Sequence, residues 1–202
     1  MTVKAPNFKL ISTSNEVVEL NKIKSKLIVL YFYPKDGTPG CTLETKDFNS
    51  LISKFSKNNC SVYGISKDSL ESHKKFKKKY KIKFDLLSDE KKIAIKAYKV
   101  WGKKQFMGKE FMGLIRSSFL IKNKKIIKEW RSVRVKNHAQ EVLNYITNKQ
   151  KRPPISRRPF NRLTKRERWL ISYCVTDYAC FYDVGSCLLY TSDAADEGGR
   201  GV

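Results

Sequence analysis

The feature that most constrains the fold is an uninterrupted apolar run, Leu27–Tyr33. Its leucine, β-branched and aromatic residues leave no polar face, so the run predicts a strand that is buried on both sides of a sheet. Strands of this kind occur where helices cover both faces. The run is far shorter than the ~20 apolar residues that a membrane-spanning helix needs. It therefore predicts the central strand of an α/β domain, and we expect no membrane segment.

Helical and strand patterns alternate along the rest of the first 150 residues. The predicted elements are a helix from Cys41 to about Lys57, a strand Ser61–Ser66, a helix opened by Asp68 and Glu71, a helix Asp89–Tyr98, a strand pair Ser117–Ile121 and Lys125–Trp130, and a final helix opened by Asn137 and Gln140. This alternation predicts an α/β sandwich with a central sheet flanked by helices.

Basic residues are distributed unevenly along the chain. Residues 1–150 hold 30 Lys and 3 Arg against 13 acidic residues, a net charge of +20, whereas residues 151–202 hold 2 Lys and 7 Arg against 6 acidic residues. Three of the five cysteines, Cys174, Cys180 and Cys187, also fall in the second segment. No folding requirement confines arginine to one end, so this change predicts a junction near residues 149–154 and a domain that spans residues 1–150.

The segment 151–202 has no regular apolar pattern, and we expect an unstructured tail. Its last part, from Cys187 to Glu197, resembles the conceptual translation of a transposon-type sequencing adapter. We therefore interpret residues 151–202 as a frameshift or adapter artefact. The alternative is a genuine cysteine-rich extension, but the spacings Cys-x5-Cys and Cys-x6-Cys, without nearby histidine, match no zinc pattern.

The amino terminus and the cysteine count bear on the compartment. The first residues lack the apolar stretch and small-residue cleavage site of a secretory signal. Five cysteines, an odd number, argue against a disulfide framework. We expect a cytoplasmic protein.

The loop that follows the central strand carries the chemistry, since it leads through Pro39 and Gly40 into Cys41. Proline is favoured at the first helical position, which puts Cys41 in the first turn of the helix. The free N–H groups and the positive end of the dipole at that turn stabilise a thiolate. A lone cysteine is more often a small buried apolar residue, but the threonine, glycine and proline around this one have no evident role in a core.

The spacing Pro34-x3-Thr38-x2-Cys41 is similar to the active-site motif of the peroxiredoxins, and the longer stretch 31–42 resembles the peroxiredoxin Q, or bacterioferritin comigratory protein, subgroup. Further matches follow in order: Gly64-Ile65-Ser66, Asp68-Ser69, Leu86-Leu87-Ser88-Asp89, Val100-Trp101-Gly102, Met107-Gly108-Lys109, Gly113, Arg116 and Ser118-Phe119-Leu120-Ile121. The resemblance covers residues 3 to about 149. It implies a thioredoxin-like fold with a central mixed sheet and flanking helices.

The resemblance also implies a function, a thiol-dependent peroxidase that reduces hydrogen peroxide and organic hydroperoxides through a sulfenic acid on Cys41. Thr38 and Arg116 are the expected partners in catalysis, since both would donate hydrogen bonds to the peroxide oxygens. Three further residues are expected to shape the pocket: Pro34, Gly40 and Glu44. No cofactor and no metal are expected. A region around Trp101 and Met107–Lys109 is expected to form a loop near the pocket.

The reductant is implied less directly. Many relatives carry a second, resolving cysteine at a position that is Lys46 here, and others carry it where this chain has Lys77. We therefore expect a one-cysteine cycle in a monomer, with thioredoxin or another small thiol as reductant. Cys60, the other cysteine before residue 151, could resolve Cys41 after local unfolding.

Two alternative hypotheses for the function are a peroxide-sensing redox regulator and a basic nucleic-acid-binding module. The nucleic-acid hypothesis depends on the dense lysines of 74–83. Phe76 and Tyr80 recur there at the spacing of a buried helix face, so we interpret the lysines as the solvent-exposed face. No specific nucleic acid is therefore expected. His73 and His138 lack spaced metal-ligand partners, and we expect both on the surface.

Overall fold

The computed structural model describes residues 3–106 and 109–151. The chain divides into two units, Met1–Arg152 and Pro153–Val202, and every described residue belongs to the first. The expected unstructured tail therefore lies outside the described residues, apart from Lys151 at the end of the last helix. Within the described ranges, no helix is both long enough and apolar enough to cross a membrane.

The described ranges form ten strands and four α-helices. In chain order these are β1 (Val3–Lys4), β2 (Lys9–Ser12), β3 (Val17–Glu19), a 3-10 turn (Leu20–Lys22), β4 (Leu27–Phe32), α1 (Pro39–Lys57), β5 (Cys60–Ser66), α2 (Leu70–Tyr80), β6 (Asp85–Ser88), α3 (Ile93–Ala97), β7 (Trp101–Phe106), β8 (Lys109–Leu114), β9 (Ser117–Lys122), β10 (Lys125–Trp130) and α4 (His138–Lys151).

The main sheet is mixed and has the strand order β1-β10-β9-β4-β5-β6-β2-β3. The strands β4, β5 and β6 run parallel, whereas β9 pairs with β4 in the antiparallel direction. β7 and β8 form a separate antiparallel hairpin. The predicted mixed sheet with flanking helices is confirmed.

The strand β4 lies inside the sheet, and all six of its residues are buried. Because side chains alternate along a strand, Val29 and Tyr31 pack into one core with the helix residue Phe48. Leu30 and Phe32 pack into a second core on the opposite face. The prediction of a strand covered on both faces is confirmed, and the two cores fix α1 and α4 on one side and α3 on the other.

Two helices differ from the predictions for local reasons. The helix α2 is capped by Ser69, whose hydroxyl accepts from the Ser72 N–H, so Asp68 lies one residue too early. The helix α3 is shorter than predicted because the Asp89 carboxylate accepts hydrogen bonds from the Ile93 and Ile95 N–H groups. The first N–H groups of a helix have no intrahelical partner, and the Asp89 carboxylate supplies one for these two, so α3 begins at Ile93.

The expected loop around Trp101 is instead the hairpin of β7 and β8. Trp101 packs against the core on the face opposite α1, with the Lys92 ammonium 4.3 Å from the centre of its ring. Met107 and Gly108, the other part of that expectation, lie outside the described residues.

The basic stretch of α2 behaves as an amphipathic helix. Phe76 is buried, and Tyr80 packs beside it against the core that contains α1. The lysines at 74, 75, 78 and 79 are exposed. The aromatic residues of this stretch therefore serve the core and do not form a stacking surface for bases.

Gly64 is required by a close approach in the middle of β5. A Cβ atom at this position would lie 2.6 Å from the Tyr31 hydroxyl and 2.8 Å from the nearest Leu86 methyl group. Both neighbours are fully buried and pair with Gly64 in the sheet, so neither can move away freely.

The substitution Gly64→Ala is therefore expected to lower the free energy of unfolding by about 1–3 kcal/mol, the usual cost of overpacking a core. Urea denaturation measures the change. Ser53→Ala, at an exposed position of α1, is the control and should change stability by less than about 0.5 kcal/mol. Equal unfolding midpoints for Gly64→Ala and the wild type would contradict the close approach.

Candidate active site

Cys41 is the third residue of α1, at the end of the loop that follows β4. Pro39 occupies the first helical turn, where it costs no hydrogen bond. The helical ladder begins with the bond from the Thr42 N–H to the Thr38 carbonyl, 2.9 Å long. The Cys41 N–H precedes that ladder, so it is one of the helix donors left without an intrahelical partner. The Cys41 side chain is buried, with 1% of its surface exposed.

Arg116 reaches the cysteine sulfur from the chain between β8 and β9. Its Nη2 atom donates to Cys41 Sγ over 3.2 Å, and its Nη1 atom donates to Oε2 of Glu44. Cys41 and Glu44 lie three residues apart in α1 and therefore share one face of the helix. The sulfur thus has a fixed positive charge beside it.

The ion pair between Glu44 and Arg116 is largely buried. Burial raises the pKa of Glu44 to about 7, although Arg116 acts in the opposite direction. Burial by itself lowers the pKa of Arg116, but Glu44 and Cys41 outweigh that effect and raise it above its ordinary value. Oε1 of Glu44 has no hydrogen-bond partner among the described residues.

Thr38 and Gly40 flank the cysteine on the loop side. Thr38 is the N-terminal cap residue of α1 by backbone conformation, but its hydroxyl donates to the Lys35 carbonyl over 3.2 Å and forms no cap bond. A Cβ atom on Gly40 would lie 3.5 Å from Nη2 of Arg116, so a side chain there would touch the guanidinium. Pro34, half-buried, opens the loop after β4.

Cys60 lies far from Cys41. It begins β5 opposite Leu27, at the end of the sheet from which β4 starts, whereas Cys41 follows the other end of β4. The helix α1 spans about 24 Å between Cys41 and Lys57 at 1.5 Å per residue. Burial raises the pKa of the Cys60 thiol to about 12. The structure therefore does not bring the two cysteines together.

The two positions where the family resemblance implies a resolving cysteine hold engaged lysines. The Lys46 ammonium lies 5.0 Å from the centre of the Tyr80 ring. The Lys77 ammonium donates to Asp85 over 2.7 Å and to Thr13 over 3.2 Å. Both lysines therefore contact neighbouring elements of the fold: Lys46 contacts α2, and Lys77 contacts residues beside and within β6.

The expectation of surface histidines is wrong. His73 is completely buried and His138 is 2% exposed. His73 precedes Phe76 by three residues and Tyr80 by seven, which is the spacing of one helix face, and this spacing is the signal that could have revealed its burial.

His138 packs between aromatic rings beside the active-site helix. Its Nε2 atom lies 2.8 Å from the Ser118 hydroxyl, and its ring meets those of Phe48 and Trp130 edge to face. Burial lowers the pKa of His138 to about 4, so the ring is neutral at physiological pH.

A second buried polar group, absent from the sequence predictions, joins the active-site loop to α2. The Asp36 carboxylate accepts hydrogen bonds from Tyr33, Ser72 and the ring of His73, over 2.7 to 2.8 Å. The Asp36 N–H donates to the Asp68 carboxylate over 2.6 Å. These contacts hold the loop between β4 and α1 against the first turn of α2.

The hairpin of β7 and β8 brings a further cation toward the site. Lys104, in β7, is partly buried. Burial lowers the pKa of Lys104, the Arg116 charge adds to that lowering, and the Cys41 charge opposes it. Lys104 therefore lies within electrostatic range of Arg116 and Cys41, and no sequence pattern predicted this.

These residues combine a buried sulfur nucleophile, a guanidinium beside it and free backbone donors. That combination suits attack on a bond whose two oxygens gain negative charge. Among residues 3–106 and 109–151, no group of three or more His, Cys, Asp or Glu side chains could hold a metal ion. A cavity of about 440 Å³ lies elsewhere, between β1, β10 and the end of α3, and Cys41 does not line it.

Comparison with protein families gives one match, the AhpC/TSA family, over residues 1–130. Among curated proteins, the peroxiredoxin Bcp of Bacillus subtilis is 48% identical over 141 residues, which cover 69% of this chain and 90% of that protein. The peroxiredoxin Bcp of Escherichia coli is 37% identical over 143 residues, which cover 70% of this chain and 92% of that protein.

Solved structures give the same result. The bacterioferritin comigratory protein of Xanthomonas campestris, described with its alkyl peroxide reduction activity, is 35% identical and superposes with a TM-score of 0.67 over 71% of this chain and 92% of its own. A cysteine mutant of Xylella fastidiosa PrxQ is 37% identical, with a TM-score of 0.69 over 73% of this chain and 92% of its own.

The identity to the Bcp proteins extends over nearly their whole length, and the structure superposes on 92% of the Xanthomonas campestris protein. The chain therefore belongs to the AhpC/TSA family, within which it is a peroxiredoxin, a thiol peroxidase, of the Bcp or peroxiredoxin Q group.

Proposed function

We propose that Cys41 is the peroxidatic cysteine of this peroxiredoxin. The thiolate sulfur attacks the terminal oxygen of a hydroperoxide, the S–O bond forms as the O–O bond breaks, and the other oxygen leaves with a proton as water or an alcohol. Cys41 becomes a sulfenic acid. The observation that carries this proposal is the Arg116 Nη2 atom, 3.2 Å from a sulfur that lies at a helix N-terminus.

In the transition state both peroxide oxygens gain negative charge, and donors must face them before the reaction begins. Arg116 supplies a fixed charge and a planar fork of donors that lysine would not reproduce. The Cys41 N–H supplies a second donor from the first helical turn. The Thr38 hydroxyl supplies a third once it exchanges the Lys35 carbonyl for the substrate. Pro34, Gly40 and Glu44 shape the pocket around them.

In this proposal, thiols of a separate molecule reduce the sulfenic acid. A first thiol attacks the Cys41 sulfur, water leaves and a mixed disulfide forms. A second thiol attacks that disulfide, which restores Cys41 and releases the oxidised reductant. One hydroperoxide and two thiols thus give one alcohol, one disulfide and one water. The distant position of Cys60 and the lysines at 46 and 77 support this one-cysteine cycle.

The proposed substrates are hydrogen peroxide and organic hydroperoxides, in line with the alkyl peroxide reduction described for the Xanthomonas relative. The proposed reductant is thioredoxin or another small thiol, and the proposed state is a cytoplasmic monomer without a specific nucleic-acid partner. We also keep the proposal that residues 151–202 are a frameshift or adapter artefact, and independent sequencing of the locus tests it.

The substitution Cys41→Ser is expected to abolish peroxide turnover, because serine offers no comparable nucleophile. Arg116→Ala is expected to lower the rate constant with hydrogen peroxide by about 10²-fold or more, the usual cost of a lost transition-state donor. Stopped-flow measurement gives both rates. Arg131→Ala is the control, since its guanidinium lies over the Phe119 ring on the other face of the sheet. Full activity of Cys41→Ser would refute the assignment.

Ionised Glu44 orients Arg116, so we expect its titration to affect the peroxide step. Above its pKa of about 7 the carboxylate pairs with Arg116, and as the pH falls through 7 it takes up a proton and the ion pair weakens. Glu44→Gln should therefore react about tenfold more slowly than the wild type at pH 8, which is the loss of one charge-assisted hydrogen bond. At pH 5.5 the two proteins should react at similar rates.

Stopped-flow rates from pH 5.5 to 8 give the ratio of wild type to variant, which removes the titration common to both. Glu129→Gln, which breaks an exposed glutamate–arginine pair, is the matched control and should give a ratio near unity throughout. A wild-type to Glu44→Gln ratio that stays constant with pH would count against this role of Glu44.

A variant with serine at Cys60, Cys174, Cys180 and Cys187 tests the one-cysteine cycle. With Cys41 as the remaining thiol, turnover with reduced thioredoxin should match that of the wild type. Mass spectrometry of the wild type after one equivalent of peroxide should find one added oxygen on Cys41. An internal disulfide, or a variant that needs a restored cysteine for turnover, would rule out the one-cysteine cycle.

A further inference from the structure

The proposed cycle needs the active site to open. Cys41 has 1% of its surface exposed and is enclosed by its own helix turn and by Arg116. A small hydroperoxide can enter such a site. A thiol on a protein must bring its sulfur in line with the S–O bond, so the loop before α1 has to move aside first.

The loop is held at one central residue, Asp36. Both oxygens of its carboxylate are engaged: Oδ1 accepts from the Tyr33 hydroxyl, and Oδ2 accepts from Ser72 and His73. The last two donors belong to the first turn of α2. One other side chain of the loop reaches α2, since the Tyr33 hydroxyl lies 3.3 Å from Nδ1 of His73.

The His73 ring turns its Nδ1 atom toward the loop, where Asp36 is the nearer of its two partners and the Tyr33 hydroxyl the more distant. Its Nδ1 atom lies 2.8 Å from Asp36, whereas Nε2 is buried and has no hydrogen-bond partner among the described residues. Burial alone raises the pKa of Asp36, but the bonds from His73, Ser72 and Tyr33 outweigh it and hold that pKa below its ordinary value. Asp36 is therefore a carboxylate, which accepts the hydrogen bond from Nδ1 of His73.

We propose that Asp36 and His73 are positioning residues for the reductive half of the cycle, and that their hydrogen bond sets how often the Cys41 site opens to a reducing thiol. This inference rests on the proposed function of Cys41. The bond joins the loop to a helix that does not itself touch the sulfur, so it can change the opening without changing the groups that face the peroxide.

The two half-reactions should respond differently to a weaker bond. If the site is open for about 1% of the time, a tenfold rise in opening lowers the closed fraction only from about 99% to about 91%. The peroxide step, which needs the closed site, then changes by less than twofold. The reductive step, which needs the open site, rises about tenfold, the effect expected from losing a hydrogen bond to a charged group.

The test uses the full chain with two substitutions of one residue. His73→Leu removes the donor and keeps an apolar side chain of similar size. His73→Asn keeps an N–H donor near the position of Nδ1 and omits the unpartnered Nε2. We expect alkylation of reduced Cys41 by fluorescein maleimide, and reduction of its sulfenic acid by thioredoxin, to rise about tenfold in His73→Leu. His73→Asn should restore both rates to within about twofold of wild type.

Site-resolved mass spectrometry separates Cys41 from the other cysteines. Lys77→Met is the matched control, because it removes an ion pair of the same helix that does not touch the loop, and its rates should equal those of the wild type. If His73→Leu does not fold, Ser72→Ala removes another donor to Asp36 from a less buried position and should raise alkylation about threefold.

Wild-type alkylation and reduction rates in a folded His73→Leu or Ser72→Ala variant would overturn the inference. So would a fall in the peroxide step with no rise in alkylation, since that pattern belongs to a residue that shapes the closed site. Alkylation does not depend on peroxidase activity. A wild type that consumes no peroxide would therefore refute the proposed function, while the alkylation rates would still decide the role of His73.

Discussion

The burial of β4 on both faces is the constraint on which the rest of this structure depends. Its alternating side chains enter two cores, so helices must cover both sides of the sheet. The chain that leaves β4 at Phe32 can return to the neighbouring parallel strand β5 only through a crossover, and α1 is that crossover. The N-terminus of α1 therefore lies at the end of the central strand, which is where a helix offers free donors to a thiolate or an anion.

The site that results balances charges which would each be costly to bury alone. Arg116 lies between the Cys41 sulfur and the Glu44 carboxylate, and the carboxylate offsets part of the cost of burying the cation. Glu44 stays close to its titration point at neutral pH because burial and Arg116 act on it in opposite directions. In the loop before α1, Asp36 satisfies its charge through hydrogen bonds within the loop and from α2. One carboxylate thus pairs with the Arg116 guanidinium, and the other joins the loop before α1 to α2.

The local sequence was sufficient to predict those elements whose residues favour one backbone conformation. The run Leu27–Tyr33, the strand pair that turns at Asn123 and Lys124 into a hairpin, and the proline at the start of α1 could be predicted because each depends on residues that are adjacent in the chain. The hairpin residues adopt positive φ values of 50° and 60°, as a tight two-residue turn requires. The burial of His73 could have been predicted from its spacing with Phe76 and Tyr80, but its partner Asp36, 37 residues away, could not.

By itself, the sequence determined the α/β class, the central strand, the active-site loop and the family motif around Cys41, because each depends on residues that are adjacent or periodic in the chain. Tertiary structure alone decided that Arg116, 75 residues away from Cys41, lies against its sulfur, and that Cys60 lies at the opposite end of the sheet. It also decided that His73 holds Asp36. These pairings depend on strand order and register, which bring together groups that no local pattern connects.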